Sequence, residues 1–242
     1  MNCAYASHNH FGRLCDERVY ENDLAARLRA EGFREVFTQA PLTAAYDSFA
    51  KTYRLDLVVN QTVYELKVAD AFTPEHETQV LNYAALLGLD RIKLLNFGAP
   101  SVQGKLIGCP FARVDRHRLT VGREHWRAVT SNCEKLSAVA EGCLRDWGGF
   151  LEVSLYKDAL MWLLGGSNRC ERRLPVTRDG LLLGQQLIQT HAEACGFVVT
   201  ALGENLTAHA DQLRRLLNVL PLQAWQWINI FHQQMDLITI LK

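Results

Sequence analysis

The sequence predicts an α/β protein in which a mixed sheet is flanked by helices, followed by a degenerate second copy of the same unit. Three observations lead to this prediction. The first half carries helix and strand patterns in the order helix, three strands, helix, strand. Short identities recur at a fixed spacing between the two halves. A predicted hairpin in the first half also carries charges among its apolar residues.

The elements of the first half follow from clear periodic patterns. Val19, Tyr20, Leu24 and Leu28 form one apolar stripe of a helix, which Gly32 ends. The predicted elements are a helix over 17–31, an extended segment over 34–46, strands over 53–59 and 62–68, a helix over 73–88, and strands over 91–97 and 104–108. This order predicts a sheet that is faced by helices.

The second half repeats this order less regularly. The predicted elements are helices over 123–145, 150–164 and 206–219, and strands over 171–178, 181–190, 195–202, 223–231 and 234–240. We therefore predict two domains, one over 1–115 and one over 116–242, with a helical linker at 120–147 in the second.

Identities at two fixed shifts indicate an internal duplication. A shift of 133 pairs His76 with His209, Gln79 with Gln212, Leu89 with Leu222 and Asn96 with Asn229, and a shift of 136 pairs Tyr20 with Tyr156, Leu24 with Leu160 and Leu28 with Leu164. Chance is the alternative, because short identities at chosen offsets are easy to find. At the first shift, Val198-Val199-Thr200 stands opposite Glu65-Leu66-Lys67. If the charges of the first copy do chemistry, the second copy is therefore expected to be unable to do the same chemistry.

Composition and charge narrow the classes of function. Of the 242 residues, 48% are hydrophobic and 21% are charged, and the formal net charge is zero. These values are typical of a globular protein and not of a strongly basic nucleic-acid binder, although a local basic patch stays open. No apolar run reaches the roughly 20 residues that a membrane helix needs.

The cysteines and the N-terminal residues indicate a cytoplasmic protein. The seven cysteines are scattered and form no C-x-x-C pair, which favours reduced thiols over a disulfide framework. The first residues, MNCAYASHNHFGR, lack the layout of a signal peptide. Cys3, His8 and His10 have no fourth metal ligand spaced nearby, so a loosely ordered start is expected there.

The most informative stretch is YRLDLVVNQTVYELKV at residues 53–68, which predicts two strands joined by a turn around 60–61. Asp56 interrupts the first apolar run, whereas Glu65 and Lys67 lie two apart and share one face of the second strand. One interpretation is a solvated face with a surface Glu–Lys pair. The apolar neighbours of Asp56 favour the other, in which the three charges converge on one site.

Two carboxylates held together repel each other unless a cation lies between them, so Asp56 and Glu65 predict a divalent-metal site. Mg²⁺ takes one or two carboxylates and leaves positions for phosphate, and Mn²⁺ suits the same oxygen ligands. The backbone carbonyl of Leu66 is a further predicted ligand. Lys67 is expected to orient or help deprotonate an attacking water, or to stabilise developing phosphate charge.

The pattern D-x8-E-L-K across a hairpin resembles the core of the PD-(D/E)XK nuclease superfamily, and the helices around it match that fold. The segments Glu17-x-x-Tyr20, YRLDLVV, VYELKV, HETQVLNY and LLNFG together resemble the small GxxExxY family within it. The resemblance covers residues 12–108. It implies a PD-(D/E)XK nuclease-like mixed sheet for this half, with the second half as a degenerate pseudo-nuclease repeat.

Residue by residue, the resemblance implies metal ligands and a catalytic lysine. Glu17 on the first helix, together with Asp56 and Glu65 on the hairpin, would reach the metal, and Lys67 would be the catalytic lysine. For Glu17 the alternative is an ordinary carboxylate in the first turn of a helix, where negative charge is favoured.

Gln79 and Tyr83 match the Q-x-x-x-Y element of RecB-like members of the superfamily. They are four apart and share one helical face, where they would support the site or contact nucleic acid. The alternative is an amphipathic helix with a tyrosine at the edge of the core. The glycine of the GxxExxY pattern falls at Leu14, although Gly12 stands two residues earlier, so the shape of the first turn stays open.

Three other conspicuous residues are expected to have structural roles. His76 lies in the first turn of a predicted helix, where a structural role or a phosphate contact is expected rather than a catalytic one. Trp225 and Trp227 are expected in the core or at a repeat interface rather than as platforms that stack on bases.

Together these patterns predict a Mg²⁺-dependent nuclease that hydrolyses phosphodiester bonds of DNA or RNA. Its expected partner is nucleic acid and not a membrane, and it is expected as a homo-oligomer or an intramolecular pseudo-dimer. The alternative is a non-catalytic nucleic-acid-binding or scaffolding protein of a repair or defence assembly, which the neutral charge favours a little. The intact E-L-K cluster favours the enzyme, because a scaffold has no physical need of it.

Overall fold

A computed structural model describes residues 1–110 and 113–242 of the chain. The chain divides into two compact units, which we call the first unit (Met1–Ala44 with Lys51–Ala112) and the second unit (Ala45–Ala50 with Arg113–Lys242). Among the described residues, no helix is both long and apolar enough to cross a membrane.

The first unit is a mixed five-stranded sheet with helices. Its elements are α1 (Asn2–Phe11), α2 (Glu17–Ala30), β1 (Val36–Tyr46), β2 (Phe49–Val59), β3 (Thr62–Lys67), α3 (Pro74–Leu87), β4 (Arg91–Asn96) and β5 (Gln103–Gly108). The strands lie in the order β1-β2-β3-β4-β5. β3 is antiparallel to β2 and parallel to β4, and β5 is antiparallel to β4. The predicted mixed α/β architecture is thus confirmed.

Two apolar clusters lie on the strands of this sheet. The first cluster joins strand residues such as Leu57 and Leu66 to helix residues such as Tyr20. The second joins Leu55 and other strand residues to α3 through Val80 and neighbouring side chains. The sheet is therefore covered by α1 and α2 in one cluster and by α3 in the other; the sequence patterns predict α2 and α3 but not α1.

The start and end of α3 follow from local capping. Thr73 and His76 form a capping box, in which the Thr73 hydroxyl accepts a hydrogen bond from His76 N–H and the Thr73 N–H donates to His76 Nδ1. Pro74 occupies the first helical position, and Gly88 ends the helix in the left-handed conformation. His76 therefore has the structural role that was predicted for it.

The second unit contains a six-stranded mixed sheet. Its elements are α4 (Arg113–Arg116), β6 (Thr120–His125), α5 (Ser131–Trp147), α6 (Val153–Leu163), α7 (Ser167–Cys170), β7 (Glu171–Arg178), β8 (Leu181–Ala192), β9 (Cys195–Thr200), α8 (Leu206–Val219), β10 (Ala224–Phe231) and β11 (Gln234–Leu241). The strands lie in the order β6-β11-β10-β9-β8-β7. Trp225 and Trp227 are buried in an apolar cluster with α8 residues, in agreement with the predicted core role.

The sheets of the two units share a pattern of strand directions. β8 and β9 are antiparallel, β9 and β10 are parallel, and β10 and β11 are antiparallel. The same three relations hold for β2 to β5. A helix also precedes the parallel strand in each unit, α3 before β4 and α8 before β10.

Each unit also contains a buried asparagine that binds the backbone just beyond the preceding parallel strand. Asn96 Oδ1 accepts a hydrogen bond of 3.0 Å from Ala69 N–H, and Asn96 Nδ2 donates one of 2.7 Å to the Ala69 carbonyl. Asn229 makes the same pair of bonds with Leu202, at 2.8 and 3.0 Å. In both units the asparagine thereby fixes the path of the chain as it leaves the strand.

We expect Asn96→Ala and Asn229→Ala each to destabilise its own unit by about 1–3 kcal/mol, because each leaves a partly buried backbone N–H and a carbonyl without their partner. Thermal and denaturant unfolding of the full chain measure this. Asn218→Ala, at an exposed position of α8, is the matched control and should change little. Equal unfolding midpoints for all three variants would contradict the clamping role.

Two segments differ from the sequence-based predictions. Residues 2–11 form the helix α1 rather than a loosely ordered start, and His8 is buried with Nε2 3.1 Å from the Ala99 carbonyl oxygen. Residues 120–125 form β6, which pairs parallel with β11, so the predicted helical linker over 120–147 is wrong at its beginning. The helix begins only at Ser131.

Candidate metal centre

The centre is built on the hairpin of β2 and β3. The turn consists of Asn60 and Gln61, which have φ values of 45° and 68°, so the strands connect through two left-handed residues as in a tight hairpin. The register pairs Val59 with Thr62, Val58 with Val63, and Leu57 with Tyr64. The strand prediction and the position of the turn are confirmed.

Asp56 lies one residue beyond the last of these pairs. Its Oδ2 accepts a hydrogen bond of 2.8 Å from the backbone N–H of Leu66, so a side-chain oxygen takes the position that a strand carbonyl would otherwise occupy. Asp56 is buried, with 7% of its surface exposed. The carboxylate is therefore a fixed part of the sheet and not a solvated side chain.

Glu65 and Lys67 complete the hairpin part of the cluster. Lys67 Nζ donates to Glu65 Oε1 at 2.7 Å. Glu65 is only 1% exposed, and its second oxygen, Oε2, is buried and has no hydrogen-bond partner among the residues the structure describes. A buried carboxylate oxygen without a partner is costly, which indicates that a cationic or proton-donating group belongs there.

Glu17 approaches the same cluster from the first residue of α2. Its Oε2 lies 4.0 Å from Lys67 Nζ, and its side chain is 39% exposed. The structure thus brings Glu17, Asp56, Glu65 and Lys67 together, with Glu17 on the solvent side.

Two residues of the cluster were missed by the sequence analysis. Glu21, one turn after Glu17, is 1% exposed, and its Oε2 accepts a 2.7 Å hydrogen bond from Gln39 Nε2. The same Gln39 nitrogen lies 3.4 Å from Asp56 Oδ1. The i,i+4 spacing to Glu17 was a signal for Glu21. Gln39 gave no such signal, because its side chain is placed by its own left-handed backbone, with a φ of 52°, within β1.

The pKa values of the cluster reflect crowded negative charge. Burial, followed by the neighbouring charge of Asp56, raises the pKa of Glu65 to about 8 against the opposing effect of Lys67. Burial also raises the pKa of Asp56 and of Glu17. Burial opposes the charge on Lys67, but the surrounding carboxylates outweigh it and raise the pKa of the ammonium. One lysine therefore does not neutralise the cluster.

The donor set fits a hard divalent cation. Asp56 and Glu65 offer carboxylate oxygens, and Glu65 Oε2 has no partner in the described structure. The backbone N–H of Leu66 points toward Asp56, whereas the carbonyl of the next residue, Lys67, accepts from Phe97 N–H at the opposite edge. Because N–H and C=O of one strand residue share an edge, the Leu66 carbonyl also faces Asp56. Oxygen ligands of this kind suit Mg²⁺ or Mn²⁺.

Gln79 and Tyr83 lie on one face of α3, as the four-residue spacing predicts. Gln79 Nε2 donates to Tyr83 Oη at 2.8 Å. Tyr83 is 4% exposed and its ring packs edge-on against Tyr53 at 5.6 Å between centroids, whereas Gln79 is half-buried. Gln79 is thus the accessible member of the pair.

The turn before α2 is closed by Tyr20. Its hydroxyl donates to the Gly12 carbonyl at 2.7 Å and accepts from Cys15 N–H at 3.3 Å. Gly12 has a φ of 72°, and Leu14 is 91% exposed. The glycine with a positive φ therefore stands at residue 12, and α2 begins at Glu17 although residue 14 is a leucine.

Comparisons with known proteins give one match. Neither the curated proteins nor the solved structures contain a match to this chain. The narrower resemblance to the GxxExxY family stays a prediction. A protein-family model does match, and it covers α1 to β5, the part of the chain that contains the carboxylate cluster. Residues 1–107 are similar to the PD-(D/E)XK nuclease superfamily.

Proposed function

We propose that the first unit is a Mg²⁺- or Mn²⁺-dependent nuclease that hydrolyses phosphodiester bonds of DNA or RNA. The observation that carries this proposal is the pair of buried carboxylates of Asp56 and Glu65 beside the partly buried Lys67, in which Glu65 Oε2 has no hydrogen-bond partner among the described residues. That cluster lies within the segment that matches the nuclease superfamily. Two buried carboxylates side by side are costly to the fold, so their presence here favours a chemical role.

In this proposal Asp56 and Glu65 hold the cation, with the Leu66 carbonyl and Glu17 as further ligands. Asp56 is fixed by Leu66 N–H, and Glu65 by Lys67, so both carboxylates are oriented before any cation binds. Glu17 is the most exposed of the four, which suits a ligand that contacts the cation through water. When bound, the cation would polarise a phosphoryl oxygen and make a water molecule more acidic.

Lys67 would act as the catalytic lysine. Its raised pKa means that it keeps its proton at neutral pH, so in the unliganded state it is a hydrogen-bond donor and a positive charge rather than a base. A fixed ammonium beside the carboxylates would stabilise negative charge that develops on a phosphate. It would also orient a water molecule through one of its remaining N–H groups.

Gln79 and Tyr83 are proposed to contribute to substrate binding. The amide of Gln79 is half-buried and the Tyr83 hydroxyl holds its nitrogen in place. The amide oxygen of Gln79 can then accept a hydrogen bond from a sugar or a base of the nucleic acid. Gln79→Ala should then raise KM more than it lowers kcat.

The second unit is proposed to be a degenerate duplicate without nuclease activity. Its strand directions match those of the first unit, and Asn229 makes the same backbone bonds as Asn96. In the parallel ladders, Thr200 pairs with Asn229 just as Lys67 pairs with Asn96. Val198 then occupies the place of Glu65, so the carboxylate and the lysine are both replaced.

The proposal is tested by cleavage assays on single- and double-stranded DNA and RNA, with Mg²⁺, with Mn²⁺ and with EDTA. We expect cleavage of at least one substrate that requires the metal. Lys67→Ala should lower the rate about 10²- to 10³-fold, as expected for loss of a preorganised charge. Lys105→Ala, which removes a half-exposed lysine paired with Glu77, is the control.

The result that would overturn the nuclease proposal is nucleic-acid binding without metal-dependent cleavage of any substrate in the panel. That outcome would favour the alternative of a non-catalytic binding or scaffolding protein, to which the zero net charge gives some support.

A further inference from the structure

Three potential metal ligands meet in the second unit, although they are far apart in the sequence. Cys133 lies in the first turn of α5, His191 near the end of β8, and Cys195 at the start of β9. All three residues are buried, and their ligand atoms lie within 4.8 Å of one another. We call these three residues the thiol–imidazole cluster.

The spacing within the cluster matches a tetrahedral metal site. Cys133 Sγ and His191 Nε2 are 3.3 Å apart. Zinc binds sulfur at about 2.3 Å and nitrogen at about 2.0–2.1 Å, so two such ligands at a tetrahedral angle lie about 3.6 Å apart. The cluster therefore needs only small side-chain shifts to accept the metal.

Polar groups that can donate hydrogen bonds surround the sulfur of Cys133. Gln226 Nε2 lies 3.2 Å from Cys133 Sγ, and Thr130 Oγ1 lies 3.4 Å from it. Gln226 is completely buried, and its amide is held by the Arg127 carbonyl and by Thr239. A neutral thiol is a weak acceptor, whereas a metal-bound thiolate gains from N–H and O–H donors.

Neighbouring residues orient His191, but one of its two ring nitrogens lacks a hydrogen bond among the described residues. Asn132 donates to its backbone carbonyl at 3.0 Å, and its ring packs edge-on against Phe197. Its Nδ1 is buried without a hydrogen-bond partner within the described part of the chain. Since Nε2 faces Cys133, the nitrogen without a partner is the outer one, and this atom calls for a water molecule rather than for the metal.

A surface cavity reaches His191, one member of the cluster. A surface cavity of about 430 Å³ is lined by Asn132, Arg169, Arg172, Thr190, His191, Ala192 and Glu193. Such a cavity would admit the metal and supply a water molecule as its fourth ligand. Sites with three protein ligands and one water are an established coordination type for zinc.

We propose that Cys133, His191 and Cys195 bind one Zn²⁺ ion, with solvent as the fourth ligand. Two thiolates and one imidazole are soft ligands that favour Zn²⁺ over Mg²⁺, so this site is distinct in chemistry from the carboxylate cluster of the first unit. The metal would join α5 to the β8–β9 hairpin and stabilise the second unit. The proposal does not depend on nuclease activity.

The test is a titration of the reduced full-length protein with Co²⁺, which substitutes for zinc and reports its ligands by absorbance. We expect one equivalent of Co²⁺ to give the visible bands of tetrahedral cobalt and a near-ultraviolet sulfur-to-cobalt band, and Zn²⁺ to displace it; Co²⁺ at the carboxylate cluster would give neither. Cys133→Ser, Cys195→Ser and His191→Gln should weaken binding more than about 100-fold, beyond what loss of a supporting residue causes.

Two variants separate this site from other sources of binding. Cys143→Ser removes another buried thiol of α5 that is outside the cluster and should keep the cobalt spectrum. Asp56→Asn, in the carboxylate cluster, should keep it as well. Loss of the sulfur-to-cobalt band in either variant would overturn the assignment.

The wild-type protein alone also decides the question if the ligand variants do not fold. A reduced chain that binds neither Co²⁺ nor Zn²⁺ with sulfur ligation overturns the proposal. A disulfide between Cys133 and Cys195 in the purified protein, with no zinc bound after reduction, overturns it too. An increase of the unfolding temperature of the second unit with one equivalent of Zn²⁺ supports it.

Discussion

Asp56→Asn is expected to abolish tight Mn²⁺ binding by the first unit and to lower its cleavage rate by about 10³-fold. A loss of that size corresponds to about 4 kcal/mol of transition-state stabilisation, the scale expected when a metal site fails. The fold should survive, because the amide oxygen of asparagine can still accept the hydrogen bond from Leu66 N–H. The substitution therefore removes the charge and keeps the backbone interaction.

Calorimetric titration with Mn²⁺ and a cleavage assay on the same preparations measure these effects. Asp90→Asn, at an exposed position of the same unit, is the matched control and should behave as wild type. Asp56→Ala should be less stable than Asp56→Asn by about 1–3 kcal/mol, because it also leaves the Leu66 N–H unpaired. Mn²⁺ affinity and activity that persist in Asp56→Asn would rule out this carboxylate as a ligand.

The metal-free first unit is expected to lose stability as the pH rises from about 4.5 to about 8, the ordinary and the raised pKa of Glu65. In that range the folded protein keeps the Glu65 proton and the unfolded chain has released it, so the free energy of unfolding falls with pH. Below this range Glu65 is protonated in both the folded and the unfolded protein. Above it Glu65 is charged in both, and the folded protein carries the full cost of the buried charge. At about 1.4 kcal/mol for each pKa unit, the loss is on the order of a few kcal/mol.

Glu65→Gln should remove most of this pH dependence, whereas Glu35→Gln, at an exposed position, should retain it. Saturating Mn²⁺ should also remove it, because the cation replaces the proton. Hydrogen exchange, measured on peptides from residues 53–68, reports the unfolding free energy of the first unit. The tryptophans, which all lie beyond residue 125, report the second unit as an internal control. Unfolding free energies of wild type and Glu65→Gln that change equally with pH would refute this role of Glu65.

The hairpin and its charges could be predicted because the signal is local. An aspartate between Leu55 and Leu57 conflicts with an otherwise apolar strand, and such a conflict usually marks function. Gln39 could not be predicted, because its contact with Asp56 depends on the backbone of another strand. α1 was missed because its stripe is weak, and its stability comes from packing of residues such as Ala4 onto the first apolar cluster.

The thiol–imidazole cluster illustrates the limit of spacing arguments. The sequence analysis treated the cysteines as scattered thiols, because it looked for ligands that are close along the chain. Cys133 is instead brought to His191 and Cys195 by the packing of α5 on the sheet of the second unit. β6 was missed for a similar reason, since Thr120–His125 is short and exposed, and only its pairing with β11 makes it a strand.

The paired asparagines show that one backbone arrangement can be held in place independently of the side chains in the strand beside it. Asn96 and Asn229 hold the chain beyond β3 and β9 in the same way, although Glu65 and Lys67 of β3 are charged and the corresponding residues of β9 are uncharged. Because that clamp lies outside the strand, the residues within the strand can differ between the units without a change in where the chain goes next.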